Sequence, residues 1–214
     1  MSSPAAVTIV DLGLGNIRSV ARAFERAGVT VRVDPSAQAI RDAERLVVPG
    51  QGAFASGAEA LDQGGVREAL LEAVDRRVPY LGICLGMQLL FEGSDEAPGA
   101  AGLGVFRGTV KRFDDDLRDP KTQDRLKVPH MGWSRIQPSP QAHPLLPSAE
   151  YFYFVHSYFC VPADPSLTVA TATHGAAFCA AVGSGSIFAC QFHPEKSHRA
   201  GARLIQRFLE GRWR

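Results

Sequence analysis

Residues 78–91 read VPYLGICLGMQLLF, an apolar run that passes through a cysteine flanked by two glycines. Val78–Ile83 has the composition of a buried strand, and Leu85–Phe91 that of a helix. Gly82 and Gly86 lie two residues before and two after Cys84, where the tight strand-to-helix turn called a nucleophile elbow has room only for small residues. The stretch therefore predicts an α/β sheet that presents Cys84 at the carboxyl end of a strand, where such sheets bind ligands.

Strand and helix patterns alternate along the first half of the chain. Apolar or alternating runs predict strands at Val7–Val10, Val29–Val33 and Leu46–Val48. Helical spacing links Ile17 with Ala27, and Leu61 with Val74. This order implies an α/β fold: an open, mostly parallel, flavodoxin-like sheet with helices on both faces.

The second half is predicted to add antiparallel strands to that sheet. The strand-like runs are Val105–Phe113, Gly132–Ile136, Tyr151–Cys160, Leu167–Thr173, Ala176–Val182 and Ser186–Phe192. Gly183-Ser184-Gly185 predicts a hairpin turn, and a closing helix carries Leu204, Ile205, Phe208 and Leu209. The expected loops are Glu92–Gly102, Asp114–Lys127 and Gln137–Glu150.

Length and composition predict one compact domain over residues 1–214. Apolar residues make up 45% of the chain and the net charge is +1, so nothing points to nucleic acid or an anionic membrane as partner. Met1–Ala6 lacks a basic leader region, and no run approaches the roughly 20 apolar residues of a membrane-spanning helix. A cytoplasmic protein is expected.

The cysteines and acidic residues do not form a metal-site pattern. None of the four cysteines belongs to a CxxC pair, which argues against zinc and against a dithiol redox site. Asp114-Asp115-Asp116 could in principle bind a cation, but a solvated turn is favoured, because three consecutive side chains do not converge on one ion without a dedicated loop. We therefore expect no metal and no cofactor.

His193-Pro194-Glu195 follows the apolar strand that ends at Phe192. Residues two apart in extended chain point the same way, so the imidazole and the carboxylate can both face Cys84, or the carboxylate can hold the ring from behind. A base oriented by a third group is what activates a thiol nucleophile. On the elbow pattern alone, a buried structural thiol and a nucleophile are equally favoured interpretations of Cys84. Together with this segment it predicts a triad of Cys84, His193 and Glu195, and the other five histidines lack that context.

Pro49-Gly50-Gln51-Gly52 ends the third predicted strand. Glycines free the backbone there to direct N–H groups at a developing oxyanion, with the Leu85 N–H as second donor, although a plain turn would be the favoured interpretation of this segment alone. A nucleotide site at Gly13-Leu14-Gly15 is disfavoured, because Arg18 occupies the place of the third glycine.

Taken together, these segments resemble the class I glutamine amidotransferases, and the resemblance runs nearly end to end. It is closest to the glutaminase subunits of imidazole glycerol phosphate synthase. The elbow and HPE segments are shared by the whole class, whereas the segments typical of these subunits are DLGLGNIRS at 11–19, PHMGW at 129–133, YFVHSY at 153–158 and QFHPEKS at 191–197.

The resemblance implies a role for each matching residue. Cys84 would form a γ-glutamyl thioester, His193 would transfer protons and Glu195 would orient His193. The oxyanion hole would use Gly50, Gln51, Gly52 and Leu85. Glutamine would be bound by Gly52, Gln88, Glu96, Ser157 and Tyr158. Asn16, Tyr153 and Lys196 would lie at an interface with a partner.

That implied partner is a (β/α)8-barrel cyclase subunit, which receives the ammonia through the interface. The barrel would combine it with phosphoribulosyl-formimino-aminoimidazole carboxamide ribotide (PRFAR), forming imidazole glycerol phosphate and AICAR in histidine biosynthesis. The resemblance also implies that the glutaminase is nearly silent without the barrel and its ligand.

Position 51 departs from the family, whose commonest residue there is Val. An unbranched side chain should let the Gly50–Gln51 peptide rotate more easily. We therefore expect the wild-type chain without barrel to release glutamate faster than a Gln51→Val variant. Equal rates, or a faster Val variant, would contradict this hypothesis.

Three other interpretations compete with this one. A glutaminase serving anthranilate, GMP or pyridoxal phosphate synthesis is disfavoured by PHMGW and YFVHSY. A redox sensor or chaperone-like protein with an elbow cysteine would not need His-Pro-Glu. A catalytically dead binding subunit would not need the complete Cys-His-Glu set.

Overall fold

The computed structural model describes residues 6–140 and 143–211. Three expectations fall partly outside these ranges: the missing leader at Met1–Ala6, the loop Gln137–Glu150 at Gln141 and Ala142, and the ends of the 1–214 domain. The helices are α1 Ile17–Glu25, α2 Ala37–Arg41, α3 Phe54–Leu61, α4 Val66–Asp75, α5 Leu85–Gln88 and α6 His198–Glu210. No helix in the described ranges is long and apolar enough to cross a membrane.

The first four strands are β1 Ala6–Ile9, β2 Thr30–Val33, β3 Leu46–Gly50 and β4 Tyr80–Cys84. The middle of the chain adds β5 Phe91–Ser94, β6 Phe106–Arg112, β7 His130–Arg135, β8 Gln137–Pro138, β9 Tyr151–His156 and β10 Tyr158–Pro162. The last three are β11 Thr168–His174, β12 Ala176–Ser184 and β13 Ile187–Cys190.

The main sheet has eight strands in the order β2-β1-β3-β4-β13-β12-β11-β8. The five strands from β2 to β13 run parallel, and β12, β11 and β8 continue the sheet antiparallel. Two small sheets, β10-β6-β5 and β7-β9, lie beside it. The predicted α/β fold with a parallel core and antiparallel C-terminal strands is confirmed.

Both faces of the main sheet are covered, because successive residues of a strand point to opposite sides. In β3, Val47 packs in the cluster that contains α1, α6 and β9 side chains. Its neighbours Leu46 and Val48 pack in the other cluster, with α2, α3, α4 and β6. All three are fully buried, as an apolar parallel strand requires.

The helix predicted over Leu85–Phe91 is wrong beyond its first turn, because α5 ends at Gln88. A longer helix would bond the carbonyl groups of Leu89 and Leu90 internally. Here the Leu89 carbonyl accepts from the N–H of Leu103, and the Leu90 carbonyl accepts from the N–H of Phe106 at the start of β6. Phe91 then opens β5, so the predicted loop Glu92–Gly102 begins as a strand.

The single strand predicted over Tyr151–Cys160 is also wrong, because the chain changes sheets at Ser157. β9 pairs with β7, and His156 faces His130 in that register. β10 pairs with β6, where Tyr158 faces Arg112. Ser157 and the start of β10 therefore form a corner rather than the middle of a strand.

The structure differs from the predicted elements at three further places. Helix α2 was not predicted; the Ser36 Oγ caps it by accepting from the Ala39 N–H at 3.2 Å. Strand β8 lies within the predicted loop Gln137–Glu150. The hairpin turn falls at Gly185 and Ser186, because residue 184 still pairs with Ile187.

Candidate active site

Cys84 occupies a sharp turn between β4 and α5, with φ +54° and ψ −107°. The turn brings backbone segments so close that a Cβ at Gly86 would lie 1.7 Å from the Val48 carbonyl oxygen. A Cβ at Gly82 would lie 2.8 Å from the Gly86 carbonyl oxygen. The tight elbow expected at Cys84 is thus present, and its two glycines are sterically required.

His193 and Glu195 follow β13, the strand next to β4 in the sheet. His193 Nδ1 and Glu195 Oε1 are 2.8 Å apart, and both side chains are almost fully buried. Because the carboxylate accepts, Nδ1 carries the proton of this bond. Nε2 is buried without a hydrogen-bond partner among the described residues, so it can exchange a proton with a reacting group.

The charge state of His193 is set by opposing effects. Burial lowers its pKa, but the nearby Cys84 and the Glu195 carboxylate outweigh burial and raise the pKa to about 9. The ring is therefore an imidazolium at neutral pH, with a proton on each nitrogen. Its Nε2 proton is available for donation to a reacting group.

Strand β9 is hydrogen-bonded to the segment that carries His193. The His193 N–H donates to the Tyr153 carbonyl at 2.9 Å. The Tyr153 N–H donates to Ser197 Oγ at 3.0 Å, and that hydroxyl donates to the His193 carbonyl at 2.6 Å. Sequence reasoning missed Ser197, whose role depends on a strand more than forty positions away.

A cavity of about 480 Å³ opens in front of Cys84. Ten of the predicted site residues line it: Gln51, Gly52, Cys84, Leu85, Gln88, Glu96, Tyr153, Ser157, Tyr158 and Lys196. Gly50 is not in its lining but pairs with Cys84 across β3 and β4. The volume suits a ligand of amino-acid size.

Gln88 is buried and forms part of the cavity lining. Its Nε2 donates to the Tyr158 carbonyl at 3.2 Å and to Gln191 Oε1 at 3.1 Å. The Nε2 atom of Gln191 also lies 3.5 Å from the Cys84 sulfur. Sequence reasoning missed this residue, although it stands two positions before His193.

Two predicted site residues have local structural roles. Glu96 Oε2 accepts from the Phe54 N–H at 2.8 Å and so caps α3, while its side chain also lines the cavity. Asn16 caps α1 by accepting from the Ser19 N–H at 3.2 Å. Asn16 is exposed and lies outside the cavity lining.

The outer side of the cavity carries aromatic and basic groups. Lys196 Nζ lies 5.9 Å from the centre of the Tyr153 ring. On the neighbouring β7-β9 sheet, Met131, Trp133 and Tyr151 are exposed by 63%, 46% and 57%. An apolar surface of this kind beside a cavity is typical of a protein interface.

The other three cysteines are buried thiols, and the acidic residues at 114–116 form local contacts. Burial raises the pKa of Cys179 to about 11 and raises those of Cys160 and Cys190 well above their ordinary value. At the acidic turn, Asp115 pairs with Arg112 at 2.8 Å, and Asp114 Oδ1 accepts from the Asp116 N–H at 2.9 Å. No cluster that could hold a metal ion occurs among residues 6–140 and 143–211.

Solved structures share the whole fold of this chain. A structure described as PurLQS from Thermotoga maritima covers 98% of this chain and 99% of its own, with a TM-score of 0.74 and 18% identity. A structure described as a glutamine amidotransferase covers 95% of this chain and 97% of its own, with a TM-score of 0.72 and 19% identity. These likenesses establish the fold.

Sequence comparison identifies the family. The family described as glutamine amidotransferase class-I matches residues 8–211. The imidazole glycerol phosphate synthase subunit HisH of Dechloromonas aromatica is 47% identical over 95% of both chains. The HisH subunit of Deinococcus radiodurans is also 47% identical, over 94% of this chain and 92% of its own. The chain therefore belongs to the class-I glutamine amidotransferases, and within them to the family of the HisH subunits of imidazole glycerol phosphate synthase.

Proposed function

We propose that this chain hydrolyses glutamine to glutamate and ammonia, and delivers the ammonia to a (β/α)8-barrel cyclase subunit. The barrel uses it to convert PRFAR into imidazole glycerol phosphate and AICAR. The observation that carries the proposal is the buried His193–Glu195 pair behind a cysteine elbow that faces a cavity of amino-acid size. Membership of the HisH family supports the choice of synthase.

In the first half of the reaction, the Cys84 thiolate attacks the carboxamide carbon of glutamine. The negative charge moves to the amide oxygen, and backbone N–H groups of Leu85 and of the Gly50–Gly52 segment stabilise it. The imidazolium of His193 gives its Nε2 proton to the amide nitrogen. Ammonia leaves, and the carbonyl group re-forms as a γ-glutamyl thioester.

In the second half, neutral His193 takes a proton from water, and the hydroxide attacks the thioester carbonyl. Collapse of the second tetrahedral adduct breaks the carbon–sulfur bond, releases glutamate and restores the thiolate–imidazolium pair. Glu195 accepts from Nδ1–H throughout, which fixes the ring and favours its charged form. The amino-acid end of the substrate lies against Gln88, Glu96 and the corner at residues 157–158.

Stepwise reconstitution tests the proposal. Glutamate release is measured for the chain alone, with the barrel subunit, and with the barrel plus PRFAR. The proposal expects a rate that rises at each step and formation of imidazole glycerol phosphate only in the third. Glutamine turnover that stays at background in all three mixtures would refute it.

A further inference from the structure

A chain of buried and partly buried hydrogen bonds connects the Cys84 sulfur with strand β7. Its central member is Gln191, which follows β13 and is fully buried. Gln191 Nε2 lies 3.5 Å from Cys84 Sγ, and Gln191 Oε1 lies 3.1 Å from Gln88 Nε2. Proton transfer and oxyanion binding, as described above, do not use this side chain.

The direction of each bond in the chain follows from one backbone carbonyl. The Tyr158 carbonyl can only accept, so the Gln88 atom 3.2 Å from it must be the amide nitrogen. That same nitrogen faces the Gln191 amide, so the Gln191 atom there must be oxygen. The other Gln191 atom is therefore a nitrogen, and it donates to the Cys84 sulfur.

Histidines extend the chain on the other side of the Tyr158 carbonyl, which also accepts from His156 Nδ1 at 2.7 Å. Burial, with the charges of nearby histidines, lowers the pKa of His156 to about 3, so the ring is neutral. Its Nε2 then accepts from His130 Nδ1 at 3.1 Å. Burial likewise lowers the pKa of His130 to about 4, and its Nε2 accepts from the Ser134 hydroxyl at 2.8 Å.

We propose that Gln191 is a positioning residue for the nucleophile, which donates an N–H to the Cys84 thiolate and holds the sulfur in front of the cavity. This role rests on the proposed function of Cys84 as nucleophile. A hydrogen bond to an anion is stronger than one to a neutral group. The bond from Gln191 therefore stabilises the Cys84 thiolate relative to the thiol. Because Gln88 and the Tyr158 carbonyl fix its orientation, the Gln191 amide cannot rotate to present its oxygen to the sulfur.

The pH dependence of Cys84 alkylation tests the proposal in the free chain. Iodoacetamide labelling is followed by the mass of the Cys84 peptide in wild type, in Gln191→Met and in Gln63→Met. Met matches Gln in size but cannot donate a hydrogen bond, and Gln63 is exposed between α3 and α4. In Gln191→Met we expect the alkylation midpoint to rise by about one pH unit, a roughly tenfold loss of thiolate below the midpoint.

The Gln63→Met profile should coincide with that of wild type. A folded Gln191→Met protein, verified by circular dichroism and thermal unfolding, whose midpoint equals that of wild type would overturn the proposal. So would a Gln63→Met variant that shifts as far, because the effect would then not depend on the contact with sulfur.

A measurement on the unaltered protein covers the case in which Gln191→Met fails to fold. The side-chain NH₂ resonances of Gln191 should shift with pH at the same midpoint as Cys84 alkylation, and should not shift in Cys84→Ala. Gln191 resonances in wild type that do not shift at the midpoint of Cys84 alkylation would overturn the proposal. Neither experiment needs glutamine or a barrel, so absent glutamate release would refute the proposed function without changing these results.

Discussion

The site depends on one strained backbone position, the residue Cys84. Cys84 has φ +54°, a conformation that costs a non-glycine residue about 1–3 kcal/mol and persists only where its surroundings enforce it. The enforcing contacts are the β3–β4 pairing on one side and the first turn of α5 on the other. The strain lifts the sulfur toward the cavity and places it beside both Gln191 and the His193 pair.

Replacing the nucleophile separates glutamine hydrolysis from the reaction in the barrel of the proposed complex. Cys84→Ala should abolish imidazole glycerol phosphate formation from glutamine, because no thioester can form. Formation from added ammonium salts should persist within about twofold of wild type once the barrel is present, since the barrel chemistry does not use Cys84. Product assays with each nitrogen source check this, and retained glutamine-dependent turnover would refute the assignment.

The same variant should change the titration of His193. Its pKa of about 9 lies above the ordinary 6.5, so its contribution to stability is complete below pH 6.5 and is lost as pH rises through 9. Cys84→Ala removes the contribution of the sulfur, so that only Glu195 still opposes the lowering of the His193 pKa by burial. NMR titration of the His193 ring should therefore move to lower pH. A ring that still titrates near 9 in the variant would show that the sulfur is not the cause.

At the scale of elements, the site lies where three connections meet. The β3 end supplies Gly50–Gly52, the β4–α5 turn supplies Cys84, and the segment after β13 supplies His193 and Glu195. These strands are neighbours and run parallel, so their carboxyl ends fall on one edge of the sheet. The corner at Ser157, between β9 and β10, also lines the cavity.

The elbow should not tolerate a methyl group at its second glycine. In Gly86→Ala the new carbon would meet the Val48 carbonyl at 1.7 Å, which only a backbone shift can relieve. We expect a loss of at least ~3 kcal/mol of unfolding free energy. Gly93→Ala is the matched control, because the nearest atom there is 3.5 Å away. Urea unfolding measures the unfolding free energy of both variants. Equal values for Gly86→Ala and Gly93→Ala would contradict the tight elbow.

Sequence reasoning placed the elbow and the HPE segment but not the limits of their elements. Both segments are local patterns whose residue types are required at fixed spacing, so the chain displays them directly. The end of α5 at Gln88 depends instead on N–H groups of Leu103 and Phe106, which no local pattern around Leu89 reveals. The corner at Ser157 was missed for the same reason, because β9 and β10 have different partner strands.

At the scale of the whole molecule, the cavity opens beside an exposed apolar sheet. Trp133 on that sheet stacks against His198 with ring centres 5.2 Å apart and planes inclined by 4°. Lys196 and Tyr153 lie between this surface and the Cys84 cavity. A barrel docked here would contact Lys196, the residue next to Glu195 along the chain, which gives a physical route for partner-dependent activity.

Asn16 permits a test of partner contact that is independent of folding. Ser is as good a helix cap as Asn, so Asn16→Ser should leave the unfolding free energy of the free chain unchanged within ~0.5 kcal/mol. If Asn16 also contacts the barrel, the variant should bind the barrel several-fold more weakly in a titration. Asn16→Ala, which loses the cap as well, should cost about 1 kcal/mol of stability. Unaltered barrel affinity in Asn16→Ser would limit Asn16 to capping α1.

The α/β class, the elbow at Cys84 and the His193–Glu195 pair could be predicted from the amino-acid sequence, because hydrophobic period and tight-turn chemistry act between residues a few positions apart. The surroundings of the sulfur could not, because they depend on tertiary packing. Gln191 reaches Cys84 across 107 positions of sequence, Gln88 reaches Tyr158 across 70, and Tyr153 meets Ser197 across 44. Such hydrogen bonds form where distant segments are packed together, and no short stretch of residues specifies that packing.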